Sequence, residues 1–192
     1  MNFKTLQGLA LAAGLCINAH SAMAGAAADA AVKAEALAGE GKTAEAMAAI
    51  EEAKQSIWQA VPMSFGKALF VAADPQGFGI YDIRDTSSFK PGEPLVVYFE
   101  PMGYGYGKDG DINVIDLGLD FEITTPEGQS LHKKEEFAHL KLRSRFPNKE
   151  FMGKITYDFT GLQAGDYVVT TTVKDVNNGK SGAFSLPFKI LQ

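Results

Sequence analysis

Asp109-Gly110-Asp111-Ile112-Asn113 is the run best suited to hold a cation. Side-chain oxygens at alternate positions are what a calcium loop presents at its start. The pattern then departs, with Val114 where the sharp turn requires glycine and Asp120 where a bidentate Glu belongs. Calcium held by Asp109, Asp111 and Asn113 is one expectation, and a polar turn between strands is the other. Gly103-Tyr104-Gly105-Tyr106-Gly107 is the second unusual run. Its glycines permit tight turns, and Tyr104 and Tyr106 carry rings with a polar tip. They are candidates for a contact loop stacking on a sugar or a partner, unless they fold back on the domain's rim. No helix start follows, so the run is not a dinucleotide fingerprint.

Signals for catalysis are few. His132 and His139 stand seven apart among lysines, not at the spacing of a metal pair on one element. Gly179-Lys180-Ser181-Gly182-Ala183 has Ala where a nucleophile elbow ends in Gly. Glu135-Glu136 reads as a surface pair. The basic residues Lys133, Lys134, Lys141, Arg143 and Arg145 line one edge, and Asp116, Asp120 and Glu122 line another. They are read either as cross-strand pairs or as a patch for an anionic surface.

The elements that must position these residues fall into two compositional zones. Before them, Lys4 and the apolar run Leu6–Leu15 lead to Ala22-Met23-Ala24, the features of a secretory signal peptide covering residues 1–24. Cleavage after Ala24 would remove the one cysteine, Cys16, and Leu15 before it disfavours a lipoprotein. The mature chain would then have no thiol chemistry and no disulfide. It would also lose Lys4, so the net charge of −5 becomes −6. That acidity argues against nucleic-acid binding. No later segment is apolar enough to span a bilayer.

Residues 25–62 are rich in Ala, Glu and Lys and read as a helical hairpin. One helix is expected over Ala26–Ala38 and a second over Thr43–Ala60, with Thr43 as N-cap. Ala46, Ile50, Ala53, Ile57 and Val61 make an apolar stripe on the second. Leu37, the Gly41–Ala46 run, Ile50 and Ala53 resemble part of a tetratricopeptide repeat, although a lone repeat cannot bury its own face.

From residue 65 to 192 the pattern turns to period-two alternation, best seen in Ile115, Leu117, Leu119, Phe121 and Ile123. Strands are expected at Phe70-Val71, Ile80-Tyr81, 95–100, 115–123, 138–143, 155–159, 167–173 and 184–190. The fold expected is mainly β: an immunoglobulin-like antiparallel β-sandwich of about seven or eight strands, preceded by the α-helical hairpin. Leu162-Gln163-Ala164-Gly165-Asp166-Tyr167, with the strands after it, resembles the closing strands of bacterial immunoglobulin-like domains. The segment Pro91–Gly103 is similar to one recurring in uncharacterised exported proteins of Gram-negative bacteria, and no activity comes with it.

The function expected is an exported, non-catalytic periplasmic binding or assembly module. Its partner would be an envelope protein or a glycan. A carbohydrate-binding module and a hydrolase with a fold-assembled site are the alternatives.

Overall fold

The computed structural model describes residues 16–192, with side chains from residue 25 onward. It is mainly β and divides into two compact units, Met1–Val61 and Pro62–Gln192. Most of the expected leader lies outside the described residues. From Cys16 the backbone is helical, and it runs through Ala24 without a break.

The first unit is a pair of helices, α1 (Cys16–Gly39) and α2 (Thr43–Ala60). Gly41, at φ 74°, ends α1 in the left-handed conformation that favours glycine. The Lys42 N–H donates to the Leu37 carbonyl and the Gly41 N–H to that of Ala38, which satisfies two carbonyls of the last turn. Lys42, not Thr43, is the N-cap of α2. The helices meet through small residues: Ala27, Ala34, Ala46, Ala49 and Ala53 are buried. Of the expected stripe, Ile50 and Ile57 are exposed. Alanine seams bring helix backbones close, and a branched side chain on the seam would hold them apart.

The second unit has nine strands. They are β1 (Ser64–Phe70), β2 (Ser88–Phe89), β3 (Leu95–Met102), β4 (Gly107–Asp109), β5 (Ile112–Thr124), β6 (Ser130–Ser144), β7 (Gly153–Tyr157), β8 (Gly165–Asp175) and β9 (Ser181–Ile190). One sheet has the order β1-β3-β7. The other runs β2-β9-β8-β5, with β6 along the far side of β5 and β4 beside its first residues. All pairs are antiparallel except β2 with β9. The larger sheet curls into a half-barrel, a shape that bulges in its long strands favour.

Alternation in β5 works as expected. Ile115, Leu117, Leu119, Phe121 and Ile123 are all buried. Rings of the two sheets pack on one another: Phe65 and Phe99 lie 4.9 and 5.2 Å from Phe184, and Phe121 lies 5.4 Å from Tyr157. Tyr167, entering β8, donates its hydroxyl to the Gln163 carbonyl at 2.9 Å, which pins the turn before the strand.

The strand expected at Ile80-Tyr81 does not form. Residues 72–87 are a long connection with two isolated bridges, Val71 to Ile83 and Gly77 to Ile80. Gly79 turns at φ 71° and donates its N–H to the Tyr98 hydroxyl at 2.7 Å, while Tyr81 packs on the Tyr98 ring at 4.2 Å. Those contacts replace a strand ladder.

Candidate functional site

Between β5–β6 on one side and the end of β7 on the other lies a cleft of about 410 Å³. Its aromatic wall is built by Phe121, Phe137, Tyr157 and Phe159, with neighbouring centroids 4.9 to 5.8 Å apart. Phe121 and Tyr157 are buried, while Phe137 and Phe159 are half-buried, Phe159 also stacking on Phe188 at 6.1 Å. Tyr157 shares a 2.6 Å hydrogen bond with the fully buried Thr171 hydroxyl. Burial pushes the Tyr157 hydroxyl up to about 12, against the pull of Thr171, so it stays protonated at neutral pH. The rim is polar: His132, Lys134, Thr156, Asp158 and Thr160 line it and are exposed. Lys134 and Asp158, of opposite sign, make no ion pair among the described residues.

The backbone opens this cleft by an irregularity in β6. Leu119 pairs with Ala138 and Phe121 with Lys134, so Glu135, Glu136 and Phe137 together stand opposite Asp120. Such a bulge re-aims a side chain, here Phe137, whose ring meets Phe121 edge-on at 4.9 Å. Glu136 sits at φ 49°, the one non-glycine residue with positive φ among the described residues. That conformation costs on the order of 1 kcal/mol and needs an anchor. Asp120 supplies it: one carboxylate oxygen accepts the Glu136 N–H at 2.8 Å, and the other meets Lys174 Nζ at 2.5 Å. Burial raises the Asp120 carboxyl, but Lys174 and the Glu136 N–H outweigh it and hold the group below its ordinary value. Further up β6 the sheets close. A Cβ on Gly153 would lie 2.2 Å from Phe99 Cζ and 2.7 Å from Leu140 Cδ1.

The Gly-Tyr run lies elsewhere and faces inward. Tyr104 is 1% exposed, its ring against Tyr106 and Phe151. Both tyrosine hydroxyls donate to the Asn148 carbonyl at 2.9 Å. Burial, then Tyr106, raises the Tyr104 hydroxyl far above its ordinary value. The backbone is tied down as well. The Gly105 N–H donates to the buried Asp175 carboxylate, whose other oxygen accepts the Asn177 N–H at 2.8 Å. Lys180 Nζ donates to the Gly103 carbonyl at 3.1 Å. The glycines serve proximity: a Cβ on Gly107 would lie 2.5 Å from Asn177 Oδ1, and one on Gly105 2.9 Å from Asn178 Nδ2. A contact loop displaying Tyr104 is therefore corrected to a packed corner.

The expected calcium ligands do not converge. Gly110-Asp111 is the two-residue tip of the β4–β5 hairpin, with Gly110 at φ 55°. Asp109 pairs with Arg143 at 2.5 Å, and Asn113 Oδ1 accepts from Lys108 Nζ at 2.6 Å. A cationic side chain thus occupies the oxygen that a metal would need. Among the described residues no group of three or more His, Cys, Asp or Glu side chains could hold a metal.

The two charged edges pair in part. Lys141 and His139 meet Asp116 at 2.9 and 3.1 Å, whereas Asp120 takes Lys174 from β8. Sequence reasoning missed the cleft. Its one local signal is the Lys-Lys-Glu-Glu run ahead of Phe137, which interrupts alternation.

No family model and no curated protein matches the chain. Solved structures give distant likenesses. One is the alkylpurine DNA glycosylase AlkC of Pseudomonas fluorescens, bound to DNA containing an abasic site analogue. It is 12% identical with a TM-score of 0.34, over 74% of this chain and 34% of that one. The chain thus spans about a third of the glycosylase's length. Another is a CARDB domain from Pyrococcus furiosus in complex with di-metal ions, 12% identical with a TM-score of 0.30, over 68% and 93%. Likenesses of this size carry neither fold nor function across.

Proposed function

We propose that this chain is an exported binding module whose larger unit is an immunoglobulin-like β-sandwich and whose ligand enters the aromatic cleft. The observation that carries the binding role is the cleft itself. Half-buried rings with an unpaired polar rim are what small-molecule sites combine, and about 410 Å³ falls within their usual range of roughly 300–1,000 Å³. Binding is proposed over catalysis because the Tyr157 hydroxyl is occupied by Thr171 and the His132 ring, tilted against Phe121 at 5.5 Å, has no carboxylate partner among the described residues. The His139–Asp116 pair belongs to the β5–β6 cross-strand contacts and does not line the cleft.

Three features support the fold reading. The orders β1-β3-β7 and β9-β8-β5-β6 follow the sheet plan of immunoglobulin domains. Facing rings join the two sheets. The Tyr167 to Gln163 bond has the form of the tyrosine corner. The half-barrel curl is the departure from that plan. Export rests on the pattern of residues 1–24, and it places the partner, an envelope protein or a glycan, outside the cytoplasm.

Two experiments test this. Mass spectrometry of the chain recovered from a Gram-negative host should find it in the periplasm and beginning at Gly25; an uncut cytoplasmic chain contradicts export. In ¹H–¹⁵N spectra, a panel of neutral saccharides, 3-phenylpropionate, benzyltrimethylammonium and free phenylalanine should contain at least one probe that shifts the Lys134, Phe137 and Phe159 amides. A panel that leaves all of them unmoved overturns the cleft as a binding site.

A further inference from the structure

We infer that the cleft takes a short neutral saccharide, an assignment that rests on the cleft being the binding site. The rim decides the ligand's charge. Lys134 and Asp158 both line the cleft and neither is paired among the described residues. A ligand that covers them displaces their water and must replace it, because an unpaired covered charge is costly. A purely apolar ligand satisfies neither group. An anion satisfies Lys134 and is repelled by Asp158, and a cation does the reverse.

A sugar hydroxyl both donates and accepts. One neutral ring can therefore donate to the Asp158 carboxylate and accept from the Lys134 ammonium, in charge-assisted hydrogen bonds. The remaining rim groups, Thr156, Thr160 and His132, are also able to donate or accept. They offer more polar contacts than the two ends of a zwitterion would use. The floor fits as well. A pyranose face presents apolar C–H groups, which suit the ring surface that the half-buried Phe137 and Phe159 leave uncovered, Phe159 being itself stacked on Tyr157 and Phe188. An extended aromatic floor with mixed donors and acceptors at its edge suits a flat, hydroxylated, uncharged ring.

The full chain, labelled with ¹⁵N, is titrated with cellotriose, maltotriose and N,N′-diacetylchitobiose, and separately with 3-phenylpropionate, benzyltrimethylammonium and phenylalanine. At least one neutral saccharide should shift the cleft amides with a Kd on the order of 1 mM or below. That Kd should hold within twofold between low and high salt, since screening acts on charged ligands. Phe159→Ala should weaken it at least tenfold. Lys134→Ala and Asp158→Ala, at exposed positions that leave folding intact, should each weaken it about threefold or more. Shifts caused only by a charged or zwitterionic probe overturn the saccharide assignment and leave the cleft as a site. Saccharide shifts lying outside the cleft overturn the assignment, and silence from every probe overturns both the assignment and the site.

Discussion

Two aromatic regions of the β unit use their rings in opposite ways. At the Gly103–Gly107 corner, Tyr104 is buried, two hydroxyls converge on the Asn148 carbonyl, and Asp175 and Lys180 hold the backbone. At the cleft, Phe137 and Phe159 are only half-buried, and Lys134 and Asp158 keep their charges free of ion pairs among the described residues. Saturated polar groups mark a place built for rigidity, and unpaired ones beside half-buried rings are what the proposed ligand site rests on. The more conspicuous motif is therefore the structural one. In the sequence the corner is one short Gly-Tyr run, whereas the cleft's rings are scattered from Phe121 to Phe159.

The sharpest break comes at the seam that closes the cleft's upper end. Gly153→Ala places a methyl within 2.2 Å of a Phe99 ring that has no exposure. It should destabilise the unit by about 1–3 kcal/mol, read as a fall of several degrees in thermal unfolding. Asp175→Ala tests the corner. It strips the Gly105 and Asn177 N–H groups of their acceptor and should cost about 1–3 kcal/mol, while ligand shifts at Phe137 persist.

Asp120→Asn tests the bulge, where Asp120 is a positioning residue for Phe137. At neutral pH the loss should be about 1 kcal/mol, together with altered chemical shifts at Phe137. The dependence on pH has a definite sign. The folded Asp120 carboxyl lies below its ordinary value of 3.8, so its contribution is complete above that value and is lost as pH falls through the folded one. The gap in chemical-denaturation stability between the native chain and Asp120→Asn should therefore stay constant from pH 7 to about pH 5 and narrow below about pH 4. The smallest effect is expected of Tyr106→Phe. Tyr104 still donates to Asn148, so the loss should be at or below about 1 kcal/mol, with no change at the cleft.

Much of the fold could be read from residue pattern, because β5 buries one complete alternating set and the α1–α2 turn obeys glycine's φ preference. Of the helix stripe, Ala46 and Ala53 lie on the buried seam, whereas Ile50 and Ile57 are exposed because alanines alone let the helices approach. The Gly-Tyr run was open to misreading for a physical reason. Glycine permits exposed turns and close packing alike, and only the approach of Asn177 and Asn178 distinguishes them. The cleft was hidden for a different reason. Its rings come from β5, β6 and β7 and the residue pair just after β7, and Phe137 reaches it through a bulge that breaks the alternation used to find strands.

The most direct test places both regions in one spectrum. Titration of the ¹⁵N-labelled chain with the neutral saccharides should move Lys134, Phe137, Phe159 and their neighbours, with Gly103–Gly107 and Asn177–Lys180 unmoved. Shifts confined to Gly103–Gly107, with a silent cleft, would contradict the assignment of ligand binding to the cleft and of rigidity to the corner.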